Sequence, residues 1–171
     1  MALFDVQVIP ERLKIDSREP LFVDGPVWLT LGDQTVPEAG WTDAVLSVLG
    51  SMGHAVATAL EGSVGDFYFF DGPYFVKLIP LPDTPGTLRR VRVAAVDDRH
   101  ATPADDGGSD FGLGEGEVLA EVVLPLHGVA ERYSAAAEQI RTWALAHGEA
   151  KVIELLAQIP HFDPSDQHFT H

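Results

Sequence analysis

A chain of 171 residues that is 46% hydrophobic is long enough for one domain with a core that needs no covalent staple. The absence of cysteine excludes a disulfide framework, a thiolate zinc site and a cysteine nucleophile. The 26 acidic residues against 11 basic ones leave a net charge of −15, a field that repels phosphate backbones and anionic lipid and so sets nucleic acid and membrane surfaces aside as partners.

In chain order, Asp5 to Ile9 and Leu13 to Asp16 are short extended candidates around Pro10. Leu21-Phe22-Val23 leads into Asp24-Gly25-Pro26, which reads as a turn, and Val27-Trp28-Leu29-Thr30-Leu31 follows as a strand. Pro37 is expected to open a helix over 38–60, because Trp41, Val45, Val48, Leu49, Met52, Val56 and Leu60 recur at three- and four-residue steps. Gly50 and Gly53 interrupt that stripe and mark either a close crossing or a break, and Gly62 is a stop signal.

Asp66-Phe67-Tyr68-Phe69-Phe70 and Tyr74-Phe75-Val76-Lys77-Leu78-Ile79 flank Asp71-Gly72-Pro73. Two aromatic runs around a turn triplet predict a β-hairpin. Their almost continuous apolar character predicts strands covered on both faces or held in an interface. Leu88 to Val96 is the next strand, with Arg90 and Arg92 on one face and Val91, Val93 and Ala95 on the other. The stretch from Asp97 to Glu117 reads as a loop carrying Asp97, Asp98, Asp105, Asp106, Asp110, Glu115 and Glu117 against the single Arg99. A last strand over Val118 to Leu124, helices over Gly128–His147 and Ala150–Ile159, and a polar tail over 161–171 complete the chain. The triplet Asp24-Gly25-Pro26 echoes Asp71-Gly72-Pro73, which reads as one turn chemistry used twice. Strands and helices do not alternate regularly, so the expected class is α+β, a mainly antiparallel sheet with helices on a face, in one domain over 1–160.

Catalytic and cofactor signals are weak at each point where they arise. Gly112-Leu113-Gly114-Glu115-Gly116 lacks the preceding strand and following helix of a dinucleotide loop, and its acids would repel a pyrophosphate. Asp110-Phe111-Gly112 matches a kinase tripeptide without the rest of that fold. Asp105, Asp106, Asp110 and Glu115 do not follow the ligand ladder of an EF-hand. His161, Asp163, Asp166, His168 and His171 have the donor types of a metal site but no scaffold pattern to hold them. His54 and His127 have no acid or serine at a telling spacing, and the helix dipole accounts for His147. Arg89, Arg90 and Arg92 would either pair with the surplus acids across the sheet or clamp an anion. No cofactor or metal is expected.

The stretch from Val36-Pro37 through Trp41-Thr42-Asp43 to Phe69-Phe70-Asp71-Gly72-Pro73-Tyr74-Phe75 resembles small acidic bacterial proteins of uncharacterised function, including immunity proteins of polymorphic toxin systems. The resemblance implies toxin neutralisation and carries over no catalytic residue. The alanine-, valine- and glycine-rich usage suggests a high-GC bacterium. No apolar run approaches the ~20 residues of a membrane helix, and Met1-Ala2-Leu3-Phe4-Asp5 lacks the regions of a signal peptide, so the cytoplasm is expected. The expected function is non-catalytic binding of a basic protein through the seven acids of 97–117. A homodimer through an apolar face stays open. The competing expectation is a small-molecule binder or hydrolase with a pocket between sheet and helices lined by Tyr68, Tyr74, Trp28 and an arginine.

Overall fold

A computed structural model describes residues 4–16, 18, 21–83, 86–99 and 116–162. Two antiparallel sheets and three helices make an α+β fold, as expected. The first sheet is built on one long strand. β1 (Phe4–Val8) and, after a 3-10 turn over Pro10–Arg12, β2 (Lys14–Asp16) both pair with β3 (Phe22–Leu31). β4 (Gln34–Val36) and β5 (Thr42–Ala44) pair with it as well. β1 buries Phe4, Val6 and Val8 and leaves Asp5 and Gln7 half-buried, the two-residue period of a strand with one face on a core.

α1 (Val45–Leu60) follows β5 directly. The second sheet is a meander of β6 (Gly65–Tyr68), β7 (Tyr74–Pro80), β8 (Arg90–Asp97) and β9 (Glu117–Pro125), in that spatial order. α2 (Leu126–His147) and α3 (Ala150–Leu156) close the described chain. Ladder partners point to the same face of a sheet. Phe67, Val76 and Ala95 therefore share a face with Leu78, Val93 and Val91, and all six are buried where α1 lies against β6 and β7. Buried residues of both sheets and all three helices join one hydrophobic cluster.

Two glycines make the close packing possible. A Cβ on Gly65 would stand 2.2 Å from the Ala55 carbonyl oxygen, so α1 can lie on β6 only because that side chain is missing. A Cβ on Gly53 would stand 2.4 Å from the Tyr133 hydroxyl. Gly53 thus marks a close crossing, as expected, but the partner is α2 and the helix runs through it unbroken. Tyr133 is fully buried, its hydroxyl donates to the Pro160 carbonyl at 2.7 Å, and burial pushes its proton affinity up. Gly62 at φ 88° follows the end of α1 and Gly148 at φ 71° caps α2, both in the left-handed region that glycine tolerates.

Three expectations are corrected. Pro37 does not open a helix: the Val36–Pro37 peptide is cis, and α1 begins at Val45. The intervening Thr42–Ala44 finds ladder partners on Asp24–Pro26, and this pairing satisfies its backbone better than an isolated first helical turn would. Asp24-Gly25-Pro26 is not a turn but lies inside β3. Gly25 serves there to admit Leu13, whose Cδ2 would stand 2.6 Å from a Cβ at that position. The two Asp-Gly-Pro triplets therefore do different jobs. The hairpin at Asp71-Gly72-Pro73 forms as expected, and β7 is interior. β6, however, is an edge strand with Tyr68 on the outer face, which overturns the expectation of a strand covered on both faces and leaves the interface alternative for β6.

Candidate functional site

The hairpin turn is held in place by one buried carboxylate. Asp43 on β5 is fully buried, the only charged side chain so placed among the described residues. Its Oδ2 accepts the Trp41 indole N–H and the Asp71 backbone N–H, each at 3.1 Å, and its Oδ1 accepts the Ala44 N–H at 2.7 Å. A buried charge is tolerated when its lone pairs are filled. The carboxylate thereby ties the start of α1 to the β6–β7 turn. Desolvation first, then the Asp43 and Asp24 charges, raise the proton affinity of Asp71. Trp41 meets the Tyr74 ring edge-on at 5.5 Å, and a Cβ on Gly72 would press on both rings, at 2.8 Å and 3.0 Å. The segments Trp41-Thr42-Asp43 and Asp71-Gly72-Pro73-Tyr74 thus touch each other.

Beyond this anchor lies one end of the second sheet. Tyr68, Phe75, Val96 and Val118 form a cross-strand row on the face opposite α1. The Ala95–Val96 irregularity lets Val118 face Val96, and Gly116 approaches Val96 so closely that a Cβ would stand 2.5 Å from its Cγ1. Phe75 and Val96 are covered by their neighbours, whereas Tyr68 is 37% and Val118 56% exposed. Phe70, just past β6, is 55% exposed. Charged groups frame these apolar surfaces. Asp66 accepts the Tyr68 hydroxyl at 2.9 Å. Desolvation, that hydrogen bond, and the charges of Asp66 and Asp98 push Tyr68 up to about 12.

Of the seven expected partner-binding acids, Asp97, Asp98 and Glu117 are brought to this end; Asp105, Asp106, Asp110 and Glu115 lie outside the described residues. Asp97 faces Tyr74 on one side and Glu117 on the other. It is half-buried and its Oδ2 pairs with Arg99 at 2.9 Å, so it is already engaged. Asp98 and Glu117 are exposed, and the Asp98 N–H donates to the Pro73 carbonyl at 2.7 Å. Sequence reasoning missed Phe70 and Val118 as exposed apolar groups. The signal was the period of two hidden inside the aromatic run: Phe67 and Phe69 are buried, and Asp66, Tyr68 and Phe70 alternate with them on the outer side.

The other candidates are scattered. Arg92 pairs across β8–β9 with Glu121 at 3.8 Å, while Arg89 binds Asp83 and the Leu60 carbonyl at the end of α1. They do not converge on an anion. His54 is exposed, and His147 stacks on Trp143 at 4.7 Å with Nδ1 2.8 Å from its carbonyl oxygen. Of the tail, His161 is described, and Asp163, Asp166, His168 and His171 lie outside the described residues, as do Gly112, Gly114 and the Asp110-Phe111-Gly112 triplet. Among the described residues no group of three histidines or acids is placed to hold a metal ion, and no helix is long and apolar enough to cross a membrane. An open groove of about 670 Å³ runs between Pro10 and Trp143, and smaller hollows of about 240 and 140 Å³ flank α3. Tyr68, Tyr74 and Trp28, the expected pocket residues, line none of the three.

A scan against protein-family models finds no match, and searches of curated proteins and of solved structures find no significant relative.

Proposed function

We propose that this chain is a non-catalytic acidic domain that binds a basic protein through the end of its second sheet, with neutralisation of a bacterial toxin as the sharpest form of that role. The observation that carries the reading is the combination of exposed Tyr68, Phe70 and Val118 with Asp66, Asp71, Asp98 and Glu117 around them. Aromatic groups supply buried contact area at protein interfaces, and a charged rim supplies steering and selectivity. A net charge of −15 extends that attraction over the whole surface for a basic partner and opposes acidic ones.

Affinity capture from cells of the source organism tests it, with the wild type beside a Tyr68→Ala/Phe70→Ala variant and an Asp98→Asn/Glu117→Gln variant. A basic protein retained by the wild type, released by salt and weakened by both variants supports the reading. Retention untouched by either variant contradicts it. No retention at all, with turnover of a small molecule by the purified protein, would transfer the function to one of the hollows beside α2 and α3.

A further inference from the structure

Arg99 lies at the acidic end on a carboxylate that is more buried than the cation itself. Between Asp97 and Glu117 the sequence has no lysine and no arginine other than Arg99. Its Nη2 donates to the Tyr74 hydroxyl at 2.7 Å and to Asp97 Oδ2 at 2.9 Å. Its guanidinium carbon lies 5.7 Å from the centre of the Tyr74 ring. The Asp97 side chain is 15% exposed and Arg99 57%. Asp97 is fixed by ladders on both sides, and Tyr74 by the Trp41 edge that Asp43 holds in place.

We propose that Tyr74 and Asp97 form a guanidinium seat, which Arg99 fills from within the chain in the free protein and an arginine of the basic partner takes over in the complex; this rests on the function proposed above. A ring face, a hydroxyl and a carboxylate converging on one point suit the flat, forked guanidinium and serve a compact ammonium poorly. The internal occupant is replaceable. An exposed ion pair is screened by solvent and must hold a long side chain in one geometry, so little is lost when it leaves. Arg99 then also lowers the affinity of a competing arginine, since the seat is open only part of the time. An aspartate two residues before an arginine makes local pairs commonly, but the bond to Tyr74 spans 25 positions and joins the turn after β8 to the first residue of β7.

The test measures, by calorimetry at low salt, binding of a short peptide of alternating glycine and arginine and of its lysine counterpart. The proteins are the wild type, Arg99→Ala, Arg99→Ala/Asp97→Asn and Arg99→Ala/Tyr74→Phe. Removing Arg99 is expected to tighten the arginine peptide by about 3- to 10-fold, as a vacated seat requires, and the lysine peptide clearly less. Both double variants are expected to lose that gain, and the Tyr74→Phe arm keeps the ring in place if Asp97→Asn disturbs the ladder. Equal tightening of both peptides would reflect the added negative charge alone and would overturn the seat while leaving the basic-partner reading standing. An unchanged arginine affinity would do the same. No binding of either peptide to any of the proteins would overturn the seat and the basic-partner reading together.

Discussion

Replacing Asp43 should loosen the join between the two sheets, and the size of the effect follows from its three hydrogen bonds. In Asp43→Asn the amide oxygen can still accept the Ala44 N–H where Oδ1 did, at 2.7 Å. The amide NH2 then stands where Oδ2 accepted the Trp41 indole and the Asp71 backbone N–H, so donor faces donor at both contacts. Stranding a buried donor costs about 1–3 kcal/mol, and both of these are only partly buried, so the low end applies to each. Relief of the repulsion between Asp43 and Asp71 returns a fraction of this. The net expected loss is about 2 kcal/mol for Asp43→Asn and about 3–4 kcal/mol for Asp43→Ala, which strands all three donors. Urea unfolding followed by the fluorescence of the three tryptophans and by far-ultraviolet signals reads it out. With a slope of about 2 kcal/mol per molar, the midpoint should fall by about 1 M for Asn at an unchanged slope. A shift under about 0.3 M for both variants would refute the reasoning, because it would mean that the three donors find other partners without cost.

Gly53→Ala should destabilise by about 1–3 kcal/mol despite the better helix propensity of alanine, since its Cβ would meet the Tyr133 hydroxyl at 2.4 Å; thermal unfolding checks this. The raised proton affinity of Asp71 means that the fold binds this proton more tightly than the unfolded chain does. Its ionisation therefore opposes folding above its folded-state value and is neutral below the ordinary carboxylate range. Asp71→Asn should raise the melting temperature slightly near neutral pH, with the gain vanishing in acid, and a gain that grows in acid would contradict the sign. Spectroscopic titration of the three tyrosines should show Tyr68 ionising at about 12, with Tyr133 later still and the Tyr68 step absent from Tyr68→Phe. Tyr68→Ala/Phe70→Ala should cost the partner most of its affinity while moving the melting temperature far less than Asp43→Ala, because both rings are substantially exposed.

Much of this fold was legible because its periodicities are local. The stripe from Val45 to Val56 and the turn at Asp71-Gly72-Pro73 depend on neighbours within a few residues, and both form where the pattern puts them. The failures share one physical origin, pairing with a distant segment. Thr42–Ala44 reads as part of a helix over 38–60 until Asp24–Pro26 is available as a strand partner, and the same pairing turns a turn triplet into the middle of β3. The acidic character of the candidate surface was plain from composition. The apolar part of it was not, because Tyr68 and Phe70 sit in a run where every second residue is core. Asp43 as the anchor could not be read at all, since its bond to Asp71 spans 28 positions.

The central claim is that the partner docks on the outer end of the second sheet, and hydrogen exchange on the captured complex addresses it most directly. The account expects new protection over 66–70 and 96–99 and along the first residues of β9, with no change in the groove between Pro10 and Trp143. Protection confined to that groove, with the Tyr68 and Phe70 segment exchanging as in the free protein, would contradict it.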